Sequence, residues 1–89
     1  MRFDWDSVKA RTNMQKHGVS FREASECFFD PLAVVLQEPR HPDREILIGV
    51  SRRQKLIFTV YIQRDVAVVR ILSARKAAPH ERELYEEGD

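Results

Sequence analysis

Hydrophobic and polar positions alternate most regularly in the second half of the chain. Residues 45–50, 55–63 and 66–73 are rich in β-branched residues and are joined by short polar connections. The middle run divides its side chains between two faces, with Leu56, Phe58, Val60 and Ile62 on one and Ile57, Thr59 and Tyr61 on the other. Three such runs predict an antiparallel meander, and the apolar run Leu32–Leu36 adds a strand before it.

The last predicted strand, residues 66–73, is apolar on both of its faces. Its apolar positions are Val66, Val68 and Leu72 on one face and Val69 and Ile71 on the other. A strand with this pattern is buried on both sides, so we predict that it is central in the sheet. The same strand contains Arg70 and leads directly to Arg75 and Lys76. These cations indicate a surface that meets an anion.

A first helix is predicted between the opening residues and Gly18. Asp6 or Ser7 caps it, it runs to about His17, and Gly18 stops it. Its apolar stripe is thin, which suits a helix with one side on a sheet and the other in water. Lys16 and His17 fall in its last turn, where cations complement the helix dipole, and this is a sufficient structural reason for both.

A second helix follows at once, and a third closes the chain. Ser20 stands three residues before Glu23, which is the capping-box spacing, and Asp30-Pro31 ends this second helix. Pro79 fits the first turn of a last, acidic helix at about His80–Glu87. The predicted order is therefore two helices, four strands and a helix.

This order predicts an α+β fold formed by a single domain over residues 1–89, with a four-stranded, mainly antiparallel sheet covered on one face. The single cysteine, Cys27, excludes an internal disulfide, and its apolar neighbours predict a buried structural thiol. No apolar run approaches the ~20 residues of a membrane span. The first residues are too polar for a signal peptide. We therefore expect a cytoplasmic protein with no membrane association.

Charge is unevenly distributed along the chain, although its net charge is only +1. Residues 40–76, which contain most of the predicted sheet, carry nine Lys or Arg and three Asp or Glu, a net +6. The preceding segment carries a net −1 and residues 77–89 carry a net −4. A basic sheet indicates a nucleic-acid or phosphate partner, with a solvated basic strand face as the alternative.

The motifs of most hydrolase classes are missing from the sequence. The three histidines lie far apart, Cys27 has no partner at zinc spacing, and the three glycines are isolated. The remaining cations suit RNA cleavage without a metal ion, in which the 2′-hydroxyl of the substrate is the nucleophile. Arg and Lys stabilise the charge on the phosphorane, and a His or a Lys of lowered pKa acts as base or acid.

Several short motifs together resemble one known family. The segments that carry the resemblance are Phe3–Asp6 (FDWD), Asn13–Phe21 (NxxKHGVSF), Phe28–Pro31 (FxDP), Ile48–Ser51 (IGxS), Val60–Arg64 (VYxxR), Arg70–Ala77 (RILSARKA) and Glu81–Tyr85 (ERxxY). They span almost the whole chain and resemble the BrnT toxin family in order and spacing. The sequence departs from the family pattern at Gln63, where an acidic residue is more frequent, and at Leu72, where Ile is usual.

The resemblance implies a bacterial type II toxin with a compact fold similar to RelE-type ribonucleases. It implies inhibition of translation by RNA cleavage, and neutralisation by a BrnA-like antitoxin through which the pair contacts DNA. Together with the residue chemistry described above, this leads us to expect metal-independent cleavage with no cofactor. The candidate catalytic residues are Arg64, Arg75, Lys76 and His17. The candidate RNA-binding residues are Lys16, Arg70, Arg52 and Arg53, of which the last two lie in a basic turn. No metal ligands are expected.

Structural roles for the same residues stay open at this point. Arg70 is equally explained by an ion pair with a carboxylate such as Glu45, and Arg64 by its place in a turn. Besides a ribonuclease, two other kinds of protein fit the sequence. One is a non-catalytic module that binds RNA or protein. The other is a structural subunit that needs its partner to fold, because its core is small.

Overall fold

The structure, a computed structural model, describes residues 1–88, and a single five-stranded sheet organises them. The strands are β1 (Arg2–Asp4), β2 (Val34–Gln37), β3 (Glu45–Val50), β4 (Leu56–Asp65) and β5 (Val68–Lys76), and the helices are α1 (Ser7–His17), α2 (Phe21–Glu26) and α3 (Pro79–Glu87). A short 3₁₀ helix, Cys27–Phe29, continues α2. The strand order is β1-β5-β4-β3-β2, and only β1 and β5 are parallel.

The prediction of four strands is wrong because the first residues form β1. This strand has three residues and pairs with the middle of β5, so that Phe3 lies opposite Val69. Three residues are too few to show an alternating pattern, and the pairing joins the two ends of the chain. The mainly antiparallel character and the order of the remaining elements are as predicted.

The prediction that β5 is central and buried on both faces is wrong. The strand lies between β4 and the edge strand β1, and only one of its faces is fully buried. Val69 and Ile71 are each 1 % exposed, whereas Leu72 is half-buried. Val66 lies outside the strand, in the turn after β4, and is 95 % exposed. An apolar residue in a tight turn reads as part of the next strand when only the sequence is considered.

Helix α1 begins and ends where its capping residues predict. The Asp6 carboxylate accepts hydrogen bonds from the N–H groups of Val8 and Lys9, and Gly18 adopts the left-handed conformation with φ of 69°. The Ser20 hydroxyl likewise accepts a hydrogen bond from the Glu23 N–H at the start of α2. These are interactions within four residues, which explains why the sequence predicts both helix starts well.

The first face of the sheet is covered by α1, α2 and the 3₁₀ helix. Its core contains Phe21, Ala24, Ile57 and Ile71, each at most 1 % exposed. Cys27 is fully buried there as a free thiol, as predicted. Burial and, to a lesser extent, the neighbouring Glu23 raise the pKa of Cys27 to about 12, which keeps the thiol protonated and unreactive.

The second face of the sheet is also covered, which corrects the prediction of one covered face. Helix α3 packs there against a smaller cluster that includes Ile46, Ile48 and Leu56, with Tyr85 reaching in from the helix. The Tyr85 hydroxyl donates to the Asp30 carboxylate at 2.7 Å. No helix among residues 1–88 has the length and apolar content needed to cross a bilayer.

Candidate functional site

The second face of the sheet carries an arginine held by several interactions. Arg75 lies opposite Phe58 in the pairing of β5 with β4, and its guanidinium stacks 4.1 Å from the centre of that ring. Its two terminal nitrogens donate to the two carboxylate oxygens of Glu81, each at 2.8 Å. Such a bidentate pair fixes the orientation of the guanidinium.

The carboxylate of this pair is buried although it belongs to a short surface helix. The side chain of Glu81 is 6 % exposed, against 39 % for Arg75. Burial raises the pKa of Glu81, but hydrogen bonds from Arg75 and from the Ala78 N–H outweigh it and leave the pKa below its ordinary value. The hydrogen bonds between the two side chains also raise the pKa of Arg75. Both groups are therefore charged at neutral pH.

A groove of about 260 Å³ lies between α1 and β5. It is lined by Val8, Lys9, Thr12, Asn13, Lys16, His17, Leu72 and Ser73. The lining combines basic side chains from one side of α1 with two hydroxyl groups, and it includes no carboxylate. A groove of this composition suits a phosphate group.

Ser73, which lines the groove, lies two residues before Arg75 on β5. Ser73 pairs with Val60 and Arg75 pairs with Phe58, and both partners belong to the α3 side of the sheet. Two residues along a strand span ~7 Å. The structure therefore places Lys16 and His17, predicted from the end of α1, beside Leu72 and Ser73, while Arg75 lies further along the strand and outside the groove lining.

Asn13 fixes the position of this helix against the strand. Its side-chain amide donates to the carbonyl oxygens of Ala74 and Val19 at 2.8 and 3.0 Å, and its carbonyl accepts from the Ala74 N–H at 3.1 Å. Strand β1 pairs only as far as Arg70, so Asn13 takes the place of a neighbouring strand at Ala74. Residues Lys16 and His17 follow one turn later.

Arg70 lies on the same face but has a different partner from the one considered above. It pairs with Asp4 of β1 at 3.2 Å, not with Glu45. Its side chain is 29 % exposed and that of Asp4 is 51 % exposed, so this is a weak surface ion pair. Glu45 instead lies opposite Tyr61, where burial and then this carboxylate raise the pKa of Tyr61 to about 12.

The remaining predicted residues lie away from the groove. Arg64 is exposed at an irregularity near the end of β4, six residues from Phe58 and thus ~20 Å along the strand from the level of Arg75. Arg52 and Arg53 lie in the exposed turn between β3 and β4. Lys76 lines a separate hollow at the start of β4. The predicted set is therefore divided among several places.

Sequence reasoning missed two residues that hold this site together, Asn13 and Glu81. In the sequence Asn13 is the first residue of the NxxKHGVSF motif, and its place in the thin apolar stripe of α1 is a signal of buried hydrogen bonding. In the sequence Glu81 belongs to the ERxxY motif and to the first turn of an acidic helix, where the helix dipole is a sufficient reason for a carboxylate. Its position three residues after the N-cap residue Ala78 marks the start of α3 but does not reveal that its partner is Arg75 on β5.

Comparisons with known proteins agree with the resemblance drawn from the motifs. Residues 5–81 match the family described as the ribonuclease toxin, BrnT, of type II toxin-antitoxin systems. The crystal structure of the Brucella abortus ribonuclease toxin BrnT superposes with a TM-score of 0.72 at 25 % identity, over 88 % of this chain and 97 % of that one. A search of the curated proteins found no match.

Proposed function

This chain belongs to the BrnT family of ribonuclease toxins of type II toxin–antitoxin systems, and from that premise we propose that it cleaves RNA without a metal ion. The observation that carries the proposal is a basic groove whose lining includes Ser73, two residues before Arg75 on the same strand. Lys9, Lys16 and His17 line the groove, and the Arg75 guanidinium further along β5 already holds a planar anion with two hydrogen bonds.

The proposed reaction uses the 2′-hydroxyl of the substrate as nucleophile. It attacks the adjacent phosphorus, the bond to the 5′-oxygen breaks, and a 2′,3′-cyclic phosphate remains. His17 is the proposed proton carrier, taking the 2′-hydroxyl proton or giving one to the leaving oxygen, because imidazole exchanges protons near neutral pH. Lys16 and Arg75 stabilise the negative charge of the phosphorane.

The Arg75–Glu81 pair supports a phosphate role for Arg75. The forked guanidinium matches carboxylate and phosphate oxygens equally well. The Glu81 carboxylate thus stands where two non-bridging phosphate oxygens would accept the same hydrogen bonds. RNA must compete with this carboxylate or use the part of Arg75 that remains exposed.

The other predicted cations are proposed to bind RNA rather than to react. Arg70 lies on the groove side of the sheet, within reach of a strand that follows β5. Arg64, Arg52 and Arg53 are exposed and line no part of the groove that contains His17, which favours contacts to phosphates along the strand over chemistry. Lys76 lies next to Arg75 in sequence but lines another hollow.

Membership of the family also supports a proposal for the biological role of the protein. Cleavage of RNA inhibits translation in the cytoplasm, and a BrnA-like antitoxin neutralises the protein. The protein contacts DNA only through the complex with this antitoxin. No membrane is involved.

The decisive experiment is cleavage of a labelled RNA by the purified, antitoxin-free protein in excess EDTA, with the product ends mapped. We expect products that end in a cyclic phosphate, and a loss of about 100-fold or more in rate for His17→Ala and Arg75→Ala. Arg11→Ala, an exposed cation of α1 outside the groove lining, is the matched control and should cleave normally. Restoration of cleavage only by added metal would contradict the mechanism.

A second candidate is a non-catalytic RNA-binding module, favoured by the occupation of Arg75 by Glu81. In that case the native protein leaves RNA intact in EDTA and with metal, yet still binds it. Translating ribosomes are then the next substrate, because a toxin that requires the ribosome also leaves free RNA intact. Intact message on ribosomes would favour the binding module.

A further inference from the structure

Three basic side chains from three elements meet in a hollow of about 280 Å³, outside the groove described above. Lys55 comes from the residue before β4, Lys76 from the end of β5 and Arg82 from α3. The rest of the lining is Gln54, Leu56 and Ala77. No carboxylate therefore lines this hollow, which we name the Lys55 hollow.

The neighbouring residues show how unusual this grouping is. Arg75 and Glu81 form an ion pair between β5 and α3, and the next residue of each element, Lys76 and Arg82, lines the Lys55 hollow. The same two elements thus bring together one pair of opposite charges and one pair of like charges. The ion pairs found among residues 1–88 involve none of the three hollow cations.

Like charges held close together lower the stability of the folded protein unless an anion joins them. The turn that leads to Lys55 is also strained, because Gln54 adopts a φ of 66° without being glycine. Gln54 also lines the hollow.

We propose that the Lys55 hollow binds a backbone phosphate of the RNA, at a nucleotide outside the one that is cleaved. The inference rests on the proposed function, since it takes RNA as the ligand. Lys76 directly follows Arg75, with Cα atoms ~3.8 Å apart. Arg82 likewise directly follows Glu81, the partner of Arg75, so an RNA strand bound at Arg75 reaches the hollow a short distance further along.

The test measures binding rather than cleavage, with RNA that is 2′-O-methylated throughout and so cannot react. One probe has about eight nucleotides, a length in the range that single-strand sites cover, and the other is a dinucleotide. The variant Lys55→Gln/Arg82→Gln is compared with Arg11→Gln/Arg40→Gln. The control removes the same charge from exposed positions that line neither the groove nor the hollow.

For the hollow variant we expect about tenfold weaker binding of the longer probe, with dinucleotide binding unchanged. The slope of log affinity against log salt should fall by about 0.7, since the hollow holds one phosphate and each phosphate contact to a single strand contributes about 0.7. The control should keep the slope of the unmodified protein. Circular dichroism must show that both variants are folded.

Two results overturn the inference. One is an unchanged salt slope of RNA binding for Lys55→Gln/Arg82→Gln. This result would overturn the inference even if the variant lost binding to an acidic antitoxin segment. The other is an equal loss in the control, which would mean that total charge decides. Because neither probe is cleaved, these results do not depend on the proposed reaction. A protein that binds the long probe as expected but never cleaves RNA contradicts the proposed function alone.

Discussion

The two faces of the sheet differ in how they are covered and in the side chains they carry. The first face is closed by α1, α2 and the 3₁₀ helix, and its side chains, such as Phe21 and Ile57, are apolar and almost fully buried. The second face is closed by α3 alone, and it holds Arg75 and Glu81 beside a smaller apolar cluster. The first face therefore supplies stability, and the second accepts charged groups that a ligand can approach. Four substitutions test this division.

The largest expected effect is on the first face. Phe21 is 1 % exposed and packs edge-to-face on Trp5 at 5.9 Å. Phe21→Ala should lower the free energy of unfolding by about 4 kcal/mol, since it removes a buried ring and leaves a cavity. Urea unfolding measures this. If folded Phe21→Ala protein also binds RNA differently, at equal native fraction, the faces are not independent.

Asn13 connects the two regions, so its removal should affect both. Asn13→Ala leaves the N–H and carbonyl of Ala74 without their partner at the edge of β5. We expect a loss of about 2–3 kcal/mol in unfolding free energy. We also expect weaker RNA cleavage, because Lys16 and His17 lose their fixed distance from β5. Cleavage rates measured well below the melting temperature separate the two effects, and an unchanged rate would show that α1 keeps its place.

On the second face, Glu81→Gln should change stability and RNA binding in opposite directions. Loss of the charged hydrogen bonds should cost about 1–2 kcal/mol at pH 7, while Arg75, no longer neutralised, should bind RNA more tightly. Urea unfolding at several pH values and RNA titration measure the two effects. Weaker RNA binding by this variant would mean that Glu81 positions Arg75 rather than competing with the ligand.

The stability part of this prediction has a definite pH dependence. The pKa of Glu81 in the folded protein lies below its ordinary value of 4.5. Its contribution is therefore complete above pH 4.5 and is lost as the pH falls through the lower, folded-state pKa. The difference between the native protein and Glu81→Gln should be constant near neutral pH and shrink in acid. A difference that grows in acid would contradict the lowered pKa.

The smallest expected effect is a gain on the first face. Thr59 is fully buried, and its hydroxyl has no hydrogen-bond partner among residues 1–88. Thr59→Val keeps the shape and removes an unsatisfied polar group, so it should stabilise the protein by about 1 kcal/mol. A thermal melt compared with that of the native protein is sufficient. Destabilisation would show that the hydroxyl has a partner, such as a buried water molecule.

Local patterns in the sequence determined the elements that depend on nearby residues. The starts of α1 and α2 were predictable because Asp6 and Ser20 bind N–H groups two or three residues away. The two faces of β4 were predictable because alternate side chains of a strand point to opposite sides. The BrnT family was recognisable because its motifs keep their order and spacing. The sequence also indicated Lys16, His17 and Arg75 as residues of interest.

Only the tertiary structure decided which of these residues meet. Strand β1 exists because residues 2–4 pair with β5, where Phe3 lies opposite Val69, and a pattern of three residues cannot predict such a distant contact. Arg64 and Arg75 belong to neighbouring strands, yet antiparallel pairing places them at opposite ends. The burial of Glu81 likewise depends on where α3 packs. Periodicity and capping act over a few residues, whereas the position of a charge next to its partner is set by the packing of the whole chain.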